Sequence, residues 1–416
     1  MQFSKILSIW HALPIFILLL FIAPILIILS SVLGDYSENW THIYNYVLTD
    51  YIFNSLILVS GVSILVMFIG SVTAWIVTNY HFFGKSFFEW GLILPLAIPP
   101  YILAYTFTGL FDSYGTMNEI ARSIFNLQQN EVFFPNIRNI FGAIIVFSFT
   151  LYPYVYLICR AAFLNQSRSM FEVGRTLGLS QPLIFLKLAL PIVRPALIAG
   201  TMIVAMETLS DFGAVDHFAV STFTTGIFRT WYGMYDLATA MQLASMLLIF
   251  ITFCLVIERT SRKNASFSTI SSNFKPMPVK RLVSFGSLGC FLVCFIPIFI
   301  GFVLPIIEIL NWSLRFNTGF FDEQFFSIAF NTISLSVLSA ILCTFIAMII
   351  NFSIRYQNSS VIKFINPFLN IGYAVPGLIL AVGIVQLFVF LDNNILSSFE
   401  GYFSVSYTHL TLPTKA

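Results

Sequence analysis

The stretch EVGRTLGLSQPLIFLKLALP (Glu172–Pro191) is charged, broken by glycine and closed by proline. It sits between two segments apolar enough to cross a bilayer. Ser169 and Glu172 have capping-box spacing: the serine caps a helix and the glutamate reaches back to it. Gly178 is free to take the left-handed conformation that closes that helix. Arg175 follows Glu172 by three positions, so the two share a face. A second helix is expected from Ser180 or Gln181, with Pro182 in its first turn, where a missing N–H does no harm. Pro191 and Pro195 are then expected to break or redirect the chain into the next span. Such a self-capped helix with an apolar face serves either as a connector lying on lipid or as a knob set into a partner's groove.

The surroundings give this piece its meaning. Of the 416 residues, 58% are hydrophobic and 9% are charged, against roughly 25% charged in soluble domains. The mean hydropathy is +0.89. A water-soluble core has no room for that much apolar surface, so the expected class is an all-α integral membrane protein. A span takes about 20 apolar residues, and about nine runs qualify. They are Ile9–Leu33, Tyr51–Thr78, Phe87–Phe111, Ile140–Leu164, Pro195–Leu209, Ala238–Ile257, Leu282–Trp312, Ser327–Ile354 and Phe364–Leu391. The first is too long for a signal-peptide core and reads as an uncleaved span. With the N-terminus in the cytoplasm, the inner segments carry 15 Lys and Arg and the outer loops carry 4. That is the positive-inside pattern, and it places Glu172–Pro191 in the cytoplasm.

Two parts of the chain echo each other. FNSLILVSGVSILVMFIG from Phe53 matches FNTISLSVLSAILCTFIA from Phe330, and LAIPPYILA around Pro99 matches YAVPGLILA around Pro376. Asn54 to Pro99 and Asn331 to Pro376 are both 45 residues apart, and the copies are offset by 277. A duplicated membrane unit explains both numbers. The organisation read from this is an N-terminal span and outer loop (1–50), a first unit (51–257), a basic serine-rich cytoplasmic linker (258–281), the first span of a second half (282–327) and a partial second unit (328–403). The partner of Glu172 falls near position 449, beyond the last residue. Residues 404–416 are read as a non-native tail, and the natural chain is expected to continue.

Catalytic and metal constellations are not found in the sequence. The five cysteines lie in apolar runs without a CxxC, and the five histidines are scattered without zinc spacing. NYHFFGKS (Asn79–Ser86) ends like a phosphate loop but has Asn79 where that motif needs glycine. The ionisable groups that remain are Glu207, Asp211 and Asp216, with Glu207 and Asp211 spaced to share a helical face. Acids at membrane depth usually face a bundle interior or an aqueous path. These three are candidates for a translocation pathway, the alternative being structural pairing with Arg229.

The quoted stretch resembles the EAA loop of type-1 ABC importer permeases: Glu-Ala-Ala, three residues, Gly, nine residues, Ile, any residue, Leu-Pro. Glu172, Val173 and Gly174 take the first three places, Gly178 the glycine, and Leu188 the isoleucine, with Leu190 and Pro191 closing the pattern. The chain departs from it at Val173, Gly174 and Leu188. The resemblance implies that Glu172–Pro191, Arg175 included, forms a coupling helix seated in a cleft of a cytoplasmic ABC ATPase. METLSDFGAVDHFAVSTFTTGIFRTWYG (Met206–Gly233) is similar to the fused two-unit permeases of ferric-iron importers, a likeness that covers most of residues 1–403. It implies two ATPase copies, an extracytoplasmic substrate-binding protein, a bacterial inner-membrane location and no catalysis by this chain. No cofactor is expected here, since ATP is used by the partners, and no nucleic acid is expected. A permease for thiamine, polyamine or phosphonate is the alternative within the family, and an ion-coupled secondary transporter the alternative outside it.

Overall fold

The computed structural model describes residues 9–166, 172, 174–263, 280–283, 285–315, 323–357 and 375–391. Among these, seven helices are long and apolar enough to cross a membrane. They include α1 (Ile9–Ser30), α3 (Leu48–Asn79), α7 (Ile140–Leu164), α12 (Leu237–Lys263) and α15 (Glu323–Gln357). α2 (Glu38–Tyr46), α4 (Lys85–Gly91), α5 (Pro100–Leu110) and α6 (Thr116–Phe125) are shorter. An all-α polytopic membrane protein is what the composition demands.

The expected third span, Phe87–Phe111, is not one helix. Lys85–Ala97 and Pro100–Leu110 meet at 87°. Pro99 takes an extended ψ of 143° because Pro100 follows it, and a residue before proline is driven out of the helical region. Two adjacent prolines therefore make a corner rather than a kink.

The fifth span departs the other way. Helix is continuous from Gln181 to Ser210, through α8 (Gln181–Ile184), a π-turn (Phe185–Ala189) and α9 (Leu190–Ser210). Pro191 and Pro195 do not break it. Pro191 falls in the first turn after the π-turn, where the bonding pattern is already altered and its missing N–H is accommodated.

By contact the chain divides into two units. One takes Ser37–Thr239 and Met246–Asn311, and the other takes Met1–Tyr36, Ala240–Ser245 and Trp312–Ala416. The first is built on α3, α7 and α9. A Cβ on Gly70 of α3 would stand 2.7 Å from Val155 Cβ of α7, and one on Gly200 of α9 would stand 3.0 Å from Val155 Cα. Small residues let backbones approach where lipid supplies no hydrophobic drive between helices. The same unit holds α13 (Phe285–Ile298), a second π-turn (Phe299–Val303) and the start of α14 (Leu304–Arg315). Its linker end is pinned by a short parallel ladder pairing Tyr80 with Lys280 and His81 with Arg281. α12 carries the helix into the expected linker as far as Lys263, and residues 264–279 lie outside the described set.

In the other unit, α16 (Gly377–Leu391) lies on α1, with Gly383 so close that a Cβ would be 2.7 Å from Ile28 Cδ1. Ser245 Oγ donates to Ile28 O at 2.5 Å. The two echoed motifs fold alike: Phe53 and Phe330 open matching stretches of α3 and α15, and Pro99 and Pro376 each directly precede a helix, α5 and α16. Of the ninth expected span, Phe364–Leu391, residues 364–374 lie outside the described set.

Candidate coupling site and pathway acids

The segment around Gly178, the candidate for coupling, is a local construction. Glu172 and residues 174–176 are helical, and Glu172, Arg175 and Leu177 are exposed. Gly178 has φ +73°, Gly178 N donates to Arg175 O at 2.9 Å, and Leu179 N donates to Gly174 O at 3.0 Å. This pair of bonds is the Schellman closure that a glycine after the last helical residue permits. Ser180 is extended and precedes α8, with Pro182 in its first turn. Ser169 and Val173, two members of the expected pattern, lie outside the described residues.

Gly174 is buried, and a Cβ there would come 2.8 Å from Leu188 Cδ1 and 3.2 Å from Ile184 Cγ1. The first helix thus rests on the second through a position that has no side chain. Leu188 and Leu190 are half-buried, and Pro191 is exposed. Phe185 then ties the segment to the bundle: its ring centroid is 5.2 Å from Trp75 of α3 and 6.3 Å from Phe163 of α7, while Trp75 and Phe163 are 5.4 Å apart. Ring pairs at such distances add about 0.5–1.5 kcal/mol beyond their burial.

Gln166 closes the segment from the other side, its Nε2 donating to Ala189 O at 3.0 Å. Neither Gln166 nor the Trp75–Phe163–Phe185 trio was among the sequence candidates. Their partners lie far away in the chain, and no local spacing signals them.

The three pathway acids are placed differently from one another. Glu207 is half-buried in the last turn of α9. Asp211 stands just past that span and turns inward: its Oδ1 accepts from Ala214 N at 2.8 Å and Val215 N at 3.2 Å, which caps α10 (Gly213–His217). Burial raises its carboxyl to about 6 against those two bonds, with the Glu207 charge adding to the rise. Asp216 is exposed and pairs with Arg229 at 3.2 Å. Beside it, His217 Nε2 lies 2.6 Å from Thr108 Oγ1. Burial, with the Arg138 charge next in size, lowers the imidazole below its ordinary value despite Asp216. Among the described residues, no group of three or more His, Cys, Asp or Glu is placed to hold a metal ion.

Lys85 of the GKS sequence begins α4 and pairs with Glu89 at 3.8 Å, which Arg160 also reaches at 3.6 Å. It is a charge pair at a helix start.

Residues 66–260 match the family model for the binding-protein-dependent transport system inner membrane component. The chain is 29% identical over 370 residues to the Fe(3+)-transport system permease protein FbpB 2 of Haemophilus influenzae, covering 86% of this chain and 67% of that protein. A second Haemophilus influenzae protein, the putative ferric transport system permease protein FbpB 1, is 25% identical over 333 residues, covering 74% of this chain and 50% of the relative. The sulfate transport system permease protein CysT of Salmonella typhimurium is 28% identical over 146 residues, 35% of this chain and 50% of CysT. The chain thus spans about two thirds of the first relative and half of the other two.

Proposed function

We propose that this chain is the membrane permease subunit of an ATP-driven, binding-protein-dependent importer whose cargo is ferric iron. The observation that carries the reading is the coupling segment: a capped helix with exposed Glu172, Arg175 and Leu177, seated through Gly174 on a helix that continues unbroken into the membrane. A force applied to the exposed face has a stiff path into α9. Two copies of a cytoplasmic ATPase would press there, and an extracytoplasmic binding protein would deliver cargo to the opposite side. Each partner favours the inward- or outward-facing state by binding it more tightly. The N-terminus is cytoplasmic on this reading, and the membrane is the bacterial inner membrane.

Ferric iron is favoured over sulfate by the extent of likeness, 370 residues against 146. Glu207, Asp211 and Asp216 are the acids proposed to meet the cation, since hard trivalent iron prefers anionic oxygen. Asp211 is engaged in a cap and Asp216 in an ion pair. Energised cells carrying the permease with its ATPase and binding protein should take up radioactive ferric iron, and vanadate should stop the uptake. Uptake that survives vanadate but stops with a protonophore would make the chain an ion-coupled transporter instead.

A further inference from the structure

Gln166 follows the C-terminal cap of α7 and is only 6% exposed. Its side-chain Nε2 donates to Ala189 O at 3.0 Å, a bond that spans 23 residues and joins the two ends of the coupling segment. Ala189 is the last residue of the π-turn, where helical bonding passes from the wider pattern back to the ordinary one. π-turns inside α-helices are rare and recur at functional positions, because the extra residue can be gained, lost or shifted along the helix. The amide therefore holds the π-turn that lies between the helix containing Gly174 and α9.

The other half of the amide is unsatisfied. Oε1 is shielded from solvent and has no hydrogen-bond partner among the described residues. The Ala189 carbonyl fixes which end is nitrogen, so the orphan is the oxygen. A buried acceptor without a donor is a cost that most interiors avoid. If Gln166 served only to fill space, an apolar side chain of its length would serve better.

Resting on the coupling reading above, we infer that Gln166 is a positioning residue: it fixes the π-turn at Ala189, so that movement of the Glu172–Gly178 helix tilts α9 rather than reshaping the turn.

Gln166→Met keeps the length of the side chain and removes both polar atoms. Gln166→Glu keeps the acceptors and removes the donor. Each full-length variant is purified with its ATPase, reconstituted in vesicles and supplied with iron-loaded binding protein. Membrane-inserted amount, ATPase recovered, basal ATP hydrolysis and iron moved per ATP are measured. Both variants are expected to insert, to retain the ATPase and to hydrolyse ATP at basal rates within about twofold of wild type, while iron moved per ATP falls by about tenfold or more. Iron per ATP within about twofold of wild type in Gln166→Met would overturn the inference. So would failure of both variants to insert, which would make Gln166 a folding residue. A wild-type protein that moves no iron with ATP would instead defeat the importer reading itself.

Discussion

Gly174 packs against Leu188: a Cβ at Gly174 would sit 2.8 Å from Leu188 Cδ1. This contact joins the two helices on either side of Gly178, and Phe185, three residues before Leu188, joins the second helix to Trp75 and Phe163 in the bundle. The path from exposed surface to membrane runs through apolar contacts and one hydrogen bond.

The close approach at Gly174 is against a movable methyl group. Gly174→Ala is expected to be tolerated, because the end of Leu188 can rotate away and alanine gains about 1 kcal/mol in helix propensity. Gly174→Leu is expected to lift the first helix off the second. Recovery of the ATPase with the purified permease separates them: near wild type for alanine, strongly reduced for leucine. Equal recovery for both would show that the Gly174–Leu188 contact does not seat the helix.

Gly70 is the contrasting case. A Cβ there meets Val155 Cβ at 2.7 Å and Tyr156 N at 2.9 Å, and neither the backbone nor a β-carbon can rotate aside. Gly70→Ala is expected to cost about 1–3 kcal/mol as overpacking, seen as a lower thermal midpoint in detergent. Val155→Ala should rescue it only in part, since the Val155 β-carbon and Tyr156 N remain. An unchanged midpoint for Gly70→Ala would mean that α3 and α7 are packed more loosely than this.

Asp211 gives a pH dependence with a definite sign. Burial lifts its carboxyl from 3.8 to about 6, so the folded state prefers the neutral acid. That contribution is complete below about pH 4 and is lost as pH rises through about 6; at two pK units it is on the order of 1–3 kcal/mol. Asp211→Asn keeps an oxygen for Ala214 N and Val215 N but cannot ionise. Thermal midpoints of wild type should fall between about pH 4 and pH 6.5 relative to Asp211→Asn, and the variant should be no less stable at pH 7. Parallel profiles would show that Asp211 titrates as an ordinary surface carboxylate.

The His217–Thr108 contact is testable apart from transport. Thr108 Oγ1 lies 2.6 Å from His217 Nε2 and 2.9 Å from Ala104 O, so its hydroxyl bridges the imidazole and its own helix. Thr108→Val should remove that bridge and cost about 1–2 kcal/mol, whereas Thr108→Ser should stay near wild type. Equal midpoints for valine and serine would remove the hydrogen bond from the account.

Much of this was legible in the sequence because it depends on local chemistry. Hydrophobic runs gave the long helices, since lipid forces backbone groups to pair within their own segment. Gly178 in TLGLS gave the left-handed helix end, and Pro182 the start of the next helix. The Pro99 and Pro376 motifs were legible as an echo, and the structure adds that each directly precedes a helix. Three features were not legible. The 87° corner at Pro99–Pro100 and the unbroken run through Pro191 and Pro195 show that proline acts differently by place: the pair makes a corner, and Pro191 is absorbed beside a π-turn. The Gln166–Ala189 bond crosses 23 residues, and no spacing rule reports it. Asp211 accepts from backbone amides three and four positions further on, whereas Asp216 makes the Arg229 pair that the sequence offered as the alternative.

The central claim is that an ATPase docks on the cytoplasmic segment, and photo-crosslinking tests it most directly. A benzoylphenylalanine is placed at Leu177, 71% exposed at the end of the coupling helix, or at Tyr114, 77% exposed on the side read as outer. Irradiation of membranes containing the permease and its ATPase should give a permease–ATPase adduct from position 177 and none from 114. No adduct at 177, or equal adducts at both positions, would contradict the account.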